Sequence, residues 1–211
     1  MTIQISRLVR WRRVLRPRAS TSRVGRMLVA AISLTMLAQP QGIGQTPTVE
    51  KKAMSLALTS SAFPAKGAIP TRHTCDGKDF SPPLAWRDLP VGTKAVALIV
   101  DDPDAPDPAA PTMTWVHWVL YNIPPNATQL PEAVKSAALP AGTREGMNDF
   151  GRTAYGGPCP PIGRHRYFFK LYALDAVLPD LKQPIKAALE RAMQGHVLAQ
   201  ATLVGTYQSG K

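Results

Sequence analysis

Five short tracts carry the side chains that could do chemistry. Asp101-Asp102-Pro103-Asp104-Ala105-Pro106 sets carboxylates into a proline-fixed turn after an apolar run. Trp115-Val116-His117-Trp118 holds one imidazole among aromatics. Gly146-Met147-Asn148-Asp149-Phe150-Gly151 and Tyr155-Gly156-Gly157-Pro158-Cys159-Pro160-Pro161 combine flexible backbone with a rigid proline corner. His165-Arg166-Tyr167 adds a second imidazole and a phenol. Imidazole N–H and phenol O–H groups donate hydrogen bonds. Consecutive backbone N–H groups at Gly156 and Gly157 would form a concavity that suits an anion. The chemistry these residues offer is recognition of a small anion in a polar pocket.

Competing chemistries have less behind them. Two histidines and an aspartate could ligate a metal, but there is no His-x-His, no His-Glu-x-x-His and no carboxylate at ligand spacing. Metal therefore ranks below anion binding, and no cofactor is expected. The chain has no Gly-x-Ser-x-Gly elbow, no phosphate-binding Gly-x-x-x-x-Gly-Lys loop and no dinucleotide fingerprint between a strand and a helix. Each tract also has a plainer reading: a solvated Asp/Pro turn, a satisfied core histidine, a surface glycine turn.

The elements that must position these residues are mostly strands. Met54 to Ser60 alternates apolar with small or polar side chains, as a half-buried strand does. Ser81-Pro82-Pro83-Leu84-Ala85-Trp86 leads into a short extended piece, read as an edge or connector because its prolines cannot donate to a ladder. Lys94 to Val100 is apolar on both faces and reads as a central strand. Trp115 to Ile123 is a second central strand, with period-two geometry placing Trp115, His117, Val119 and Tyr121 on one face. Arg166 to Leu174 is a third; His165 and Tyr167, two strand rises and about 6.5–7 Å apart, would converge on one ligand. Pro124 to Pro161 is mostly irregular. Pro184 to Gln194 is the one clear helix, with Ile185, Ala188, Leu189, Ala192 and Met193 as its apolar stripe and Gly195 as its cap. Leu198 to Tyr207 is a final strand. Connections too short for repeated crossovers imply an antiparallel, mainly β architecture with a few helices.

The charge is concentrated at the start. Residues 1–26 hold eight arginines and no acid, and Met27 to Ala38 follows as a weakly apolar run. That order is a secretory leader, the run being short of the about 20 residues a membrane span needs. The leader is assigned to residues 1–44, a lead-in to 45–53 and one domain to 54–208. Setting the eight arginines aside lowers the formal net charge from +11 to +3 (11 − 8). The basicity is therefore a targeting feature and does not point to a nucleic-acid partner. A membrane would be met only through an uncleaved leader, and the expected location is periplasmic or secreted. Cys75 and Cys159 are the only cysteines. A disulfide and two buried free thiols both fit; a bridge is expected in the exported protein, worth at most about 4.6 kcal/mol in the chain-entropy model.

Asp-Pro-Asp-Ala-Pro at 102–106, Trp-x-His at 115–117, Gly-Pro-Cys-Pro-Pro at 157–161 and His-Arg-Tyr at 165–167 resemble, in order, motifs of the phosphatidylethanolamine-binding protein family. The closer likeness is to its bacterial Raf-kinase-inhibitor-like branch. Thr74-Cys75-Asp76-Gly77, Ser81-Pro82-Pro83-Leu84-x-Trp86, Asn148-Asp149-Phe150-Gly151 and Gly205-Thr206-Tyr207 are similar to that branch too. The resemblance spans roughly residues 54–208. It implies an antiparallel two-sheet β core with peripheral helices. It also implies a pocket for phosphate, acetate or a phosphoryl head group, lined by Asp102, Pro106, His117, Gly157, His165 and Tyr167. Asp102 would hold a histidine tautomer, and binding would strengthen as pH falls through about 6.5. Three functions follow: a binding module for a small anionic or phosphorylated ligand, a hydrolase using a His/Asp acid–base pair, or an inhibitor of a partner protein. Binding is favoured, because the site offers donors and no activated nucleophile.

Overall fold

The computed structural model describes residues 55–210; the expected leader and the whole lead-in lie outside the described residues. The order is β1 (Ala57–Thr59), a 3-10 turn (Thr71–His73), β2 (Leu84–Arg87), β3 (Ala95–Asp102), β4 (Trp115–Ile123), β5 (Gln129–Leu130), a second 3-10 turn (Ser136–Ala138), β6 (Arg144–Glu145), β7 (Arg164–Leu174), α1 (Lys186–Met193) and β8 (Val197–Gln208). The fold is mainly β, with two antiparallel sheets and a single α-helix among the described residues. The larger sheet runs β6-β4-β3-β7-β8 and the smaller β1-β2-β5.

Sequence patterning accounts for this order. β3 is buried at all eight positions, as a strand covered on both faces must be, and it lies in the middle of the larger sheet. Val96, Leu98 and Val100 feed the main core, which Leu58, Leu84, Trp86 and Leu130 reach from the smaller sheet. Ala97 and Ile99 feed a second cluster closed by Leu189 and Met193 of α1. Ile185, expected in the helix stripe, is instead its N-cap residue and is exposed. Gly195, at φ 81°, follows the helix in the conformation that ends one without a Cβ penalty.

One strand is placed differently from the sequence reading. β2 is the middle strand of the smaller sheet, not an edge. Pro82 and Pro83 stop just short of Leu84, the first paired residue, so their missing N–H groups cost the ladder nothing. The stretch from 124 to 161 holds only two strands of two residues each, β5 and β6. What gives it shape is hydrogen bonding to β4 and a disulfide between Cys75 and Cys159, closing a loop with a sequence separation of 84.

Candidate functional site

The site forms where β3 ends, β4 begins and β7 begins. A cavity of about 330 Å³ opens there, lined by Asp102 at the end of β3, Pro106 in the turn after it, Trp115 and His117 of β4, and His165 of β7. Phe150, Met113 and the Cys159-Pro160-Pro161 corner complete its wall.

Asp101 and Asp102 point to opposite faces of the sheet. Asp101 is fully buried and accepts from Lys170 Nζ at 2.7 Å and Lys186 Nζ at 2.5 Å, bracing α1. Asp102 turns to the cavity. Its Oδ1 accepts from the Asp104 N–H (2.8 Å) and its Oδ2 lies 2.7 Å from His165 Nδ1. His165 Nε2 is 2.9 Å from the Ile162 carbonyl. Both nitrogens of this buried ring therefore already face acceptors. Asp104 anchors the turn by gripping Arg166 at its backbone N–H, Nε and Nη2. The Arg166 guanidinium holds the Asp104 carboxyl below the usual carboxylate range.

A β-bulge aims His117. Asp101 pairs with Val116 and Val100 with Trp118, so the register steps over His117. A bulge of this kind bends the strand and redirects a side chain. Val116, Val119 and Tyr121 pack in the α1-side cluster, while Trp118 and Leu120 pack in the main core. His117 joins the main-core side, its ring centroid 5.2 Å from that of Tyr167. The expected single face of Trp115, His117, Val119 and Tyr121 is broken by this one extra residue.

His117 Nδ1 lies 2.7 Å from the Gly156 carbonyl. A carbonyl only accepts, so Nδ1 carries the hydrogen. Nε2 is buried and has no partner among the described residues. Burial holds the ring below the ordinary histidine range, partly opposed by the Gly156 bond and the Asp102 charge. The 148–157 segment is tied to β4. Asn148 Nδ2 donates to the His117 carbonyl (3.2 Å), Gly156 N–H donates to it (3.0 Å), and Asp149 Oδ2 accepts from Val116 N–H (2.8 Å). These bonds lay Phe150 edge-on to Trp115 and His117, at 5.4 Å and 5.5 Å between centroids.

Of the six ligand residues the resemblance implies, the cavity gathers Asp102, Pro106, His117 and His165. Gly157 and Tyr167 lie behind it. The Gly157 N–H is taken by Asp79 Oδ1 at 2.6 Å, and its α-carbon packs so tightly that an added Cβ would meet the His73 carbonyl at 2.5 Å. The Gly156 and Gly157 donors are thus spent internally, and the expected glycine concavity is not available to an anion. Tyr167 supports the two histidines, its ring stacked on His165 at 6.4 Å between centroids. Its hydroxyl is buried without a partner, and burial with the nearby Asp102 charge pushes the phenol up, so it stays protonated. Cys159, which carries the disulfide, stands in the wall where Gly157 was expected. The spacing of Gly-Pro-Cys-Pro-Pro alone does not say which residue of the corner meets the cavity. Among the described residues no three His, Cys, Asp or Glu side chains are grouped so as to hold a metal.

The chain is similar in sequence and fold to known proteins. The family model for the phosphatidylethanolamine-binding protein matches residues 59–208. The chain is 51% identical over 154 residues to a UPF0098 protein of Methanothermobacter thermautotrophicus, covering 72% of this chain and 99% of that one. A UPF0098 protein of Chlamydia muridarum is 42% identical over 153 residues, again 72% and 99%. Among solved structures, a phosphatidylethanolamine-binding protein homologue of Chlamydia trachomatis superposes with a TM-score of 0.68 at 40% identity, covering 74% of this chain and 98% of that one. Escherichia coli YbcL, a member of the mammalian family, gives 0.67 at 32% identity over 74% and 99%.

Proposed function

The chain belongs to the phosphatidylethanolamine-binding protein family, and on that footing we propose that it is an exported binding protein whose cavity accepts the anionic end of a small phosphorylated or carboxylated molecule. One observation carries the reading. A buried imidazole with an unpartnered nitrogen lines a cavity of about 330 Å³ with an apolar rim. A polar atom left unpaired in the interior costs about 1–3 kcal/mol, a cost that a ligand donating a hydrogen to it would offset. Cavities of this size take small molecules, with a few polar groups setting orientation. The rim of Pro106, Met113, Trp115, Phe150, Pro160 and Pro161 suits an apolar substituent on that anion.

Nothing in the lining favours hydrolysis. It holds no serine, threonine or lysine, its one cysteine is bridged, and both Asp102 oxygens are engaged.

Calorimetric titration of the purified chain with phosphorylethanolamine, inorganic phosphate, phenylphosphonate and acetate tests the reading. Saturable heats that disappear in His117→Ala are expected, with folding of the variant checked by circular dichroism. Absence of binding by all four would remove it.

A further inference from the structure

We propose that the cavity takes its phosphoryl ligand in protonated form, the ligand supplying the hydrogen that His117 Nε2 accepts. The ligand class is then a monoprotonated phosphate or phosphonate with a compact apolar or aromatic substituent. The inference rests on the binding function proposed above and says which ionic state is bound.

The inventory of hydrogens leads there. His117 Nδ1 is committed to the Gly156 carbonyl at 2.7 Å. The neutral ring, which burial favours, therefore presents a lone pair at Nε2, the nitrogen left without a partner. A dianion placed against that lone pair would set two acceptors face to face. Asp102, also in the lining, adds another acceptor.

Cations do not compensate, because the lining contains no lysine or arginine. Arg164, which opens β7, is exposed and outside the lining, and four other nearby cations are paired. Arg166 of β7 holds Asp104 at 2.6 Å, Arg152 holds Asp79 at 2.7 Å, and Lys170 of β7 and Lys186 of α1 hold Asp101. Other titratable groups around His117 are Asp149, which accepts from the Val116 N–H, His165, bonded to Asp102 and Ile162, and the phenols Tyr167 and Tyr155, both kept protonated by burial. Tyr155 donates to the His73 carbonyl at 3.0 Å. The Tyr167 hydroxyl lies outside the lining, and the Asp102 carboxylate is the charge that acts on it. A phosphoryl monoanion retains one hydrogen, and its P–O–H can donate to Nε2. A dianion has no hydrogen to give.

The test uses probes of similar shape and different acidity on the unmodified chain: phenylphosphonate, the more acidic difluorobenzylphosphonate, and benzenesulfonate, which carries no proton. Affinities are read by calorimetry from pH 5 to 9. For each phosphonate the affinity is expected to be level below its second ionisation and to fall about tenfold per pH unit above it, as loss of one bound proton requires. The midpoint should move to lower pH for the more acidic probe. Benzenesulfonate should bind at least about tenfold more weakly, the equivalent of one lost hydrogen bond to a buried group. Sulfonate binding on a par with phenylphosphonate overturns the proton-carrying ligand while leaving the cavity's function standing. So does one midpoint shared by both phosphonates, which would report a protein group. Absence of binding by every probe overturns both.

Discussion

Asp102 Oδ2 and His165 Nδ1 are 2.7 Å apart, just beyond the last paired residues that join β3 to β7. Both side chains are almost fully buried. The contact extends the sheet past its backbone ladder and fixes the two strand ends that frame the cavity.

Removing one member of a buried pair leaves the other uncompensated. Asp102→Asn is expected to destabilise the protein by about 3 kcal/mol in urea unfolding. A double-mutant cycle with His165→Gln should return a coupling of about 1 kcal/mol or more. Additive effects would mean that the two strand ends are held independently.

His117 gives stability a pH dependence of known sign. Its folded pKa is depressed by burial, while in the unfolded chain the ring takes up a proton from about pH 6.5 downward. The unfolded state then binds more protons, so stability falls as pH drops from 6.5 toward the folded value, by up to about 1.4 kcal/mol per pH unit. His117→Gln should flatten this limb between pH 6.5 and 5 in ligand-free denaturation. Parallel limbs for the two proteins would show that the ring titrates normally.

Gly157 should tolerate no side chain. A Cβ there would stand 2.5 Å from the His73 carbonyl oxygen and 2.9 Å from Thr74 Cα, both on backbone. Gly157→Ala is expected to cost about 1–3 kcal/mol. Gly210→Ala, with nothing within 4 Å, should change the melting temperature little.

The bridge between Cys75 and Cys159 closes its loop across a sequence separation of 84. Reduction, or Cys75→Ser with Cys159→Ser, should lower stability by about 2–4 kcal/mol. It should also weaken ligand binding, since Cys159 is part of the cavity wall. Alkylation without reductant followed by mass spectrometry should label no thiol, and two labelled thiols would contradict the bridge.

The strands were readable wherever burial follows a simple period. The all-apolar run before Asp101 announces the middle of the larger sheet, and alternation places His165 and Tyr167 on one buried face. What misled the reading was local irregularity. A bulge carries no compositional mark, so the face of His117 was read with the wrong neighbours. The glycines of the 155–163 corner suggested free donors, but whether an N–H is free depends on partners distant in sequence. Asp79 claims the one from Gly157 and the His117 carbonyl the one from Gly156. Short strands such as β5 and β6 are too brief to show any period. Tyr167 was correctly placed beside His165, but direction along a strand does not tell how deep a cavity reaches.

His117 is supernumerary to the ladder it interrupts. Val116 and Trp118 already oppose the consecutive residues Asp101 and Val100. Without His117 these pairs would stand on adjacent rungs, with Val116 and Trp118 keeping their opposite faces, and the β3–β4 ladder would retain only its irregularity between Val96 and Leu98. The ring that gives the cavity its open acceptor is thus inserted into the sheet and not required by it. At His117 the side chain serves recognition while the backbone carbonyl holds Asn148 and Gly156, so a lineage could exchange the ring and keep the scaffold.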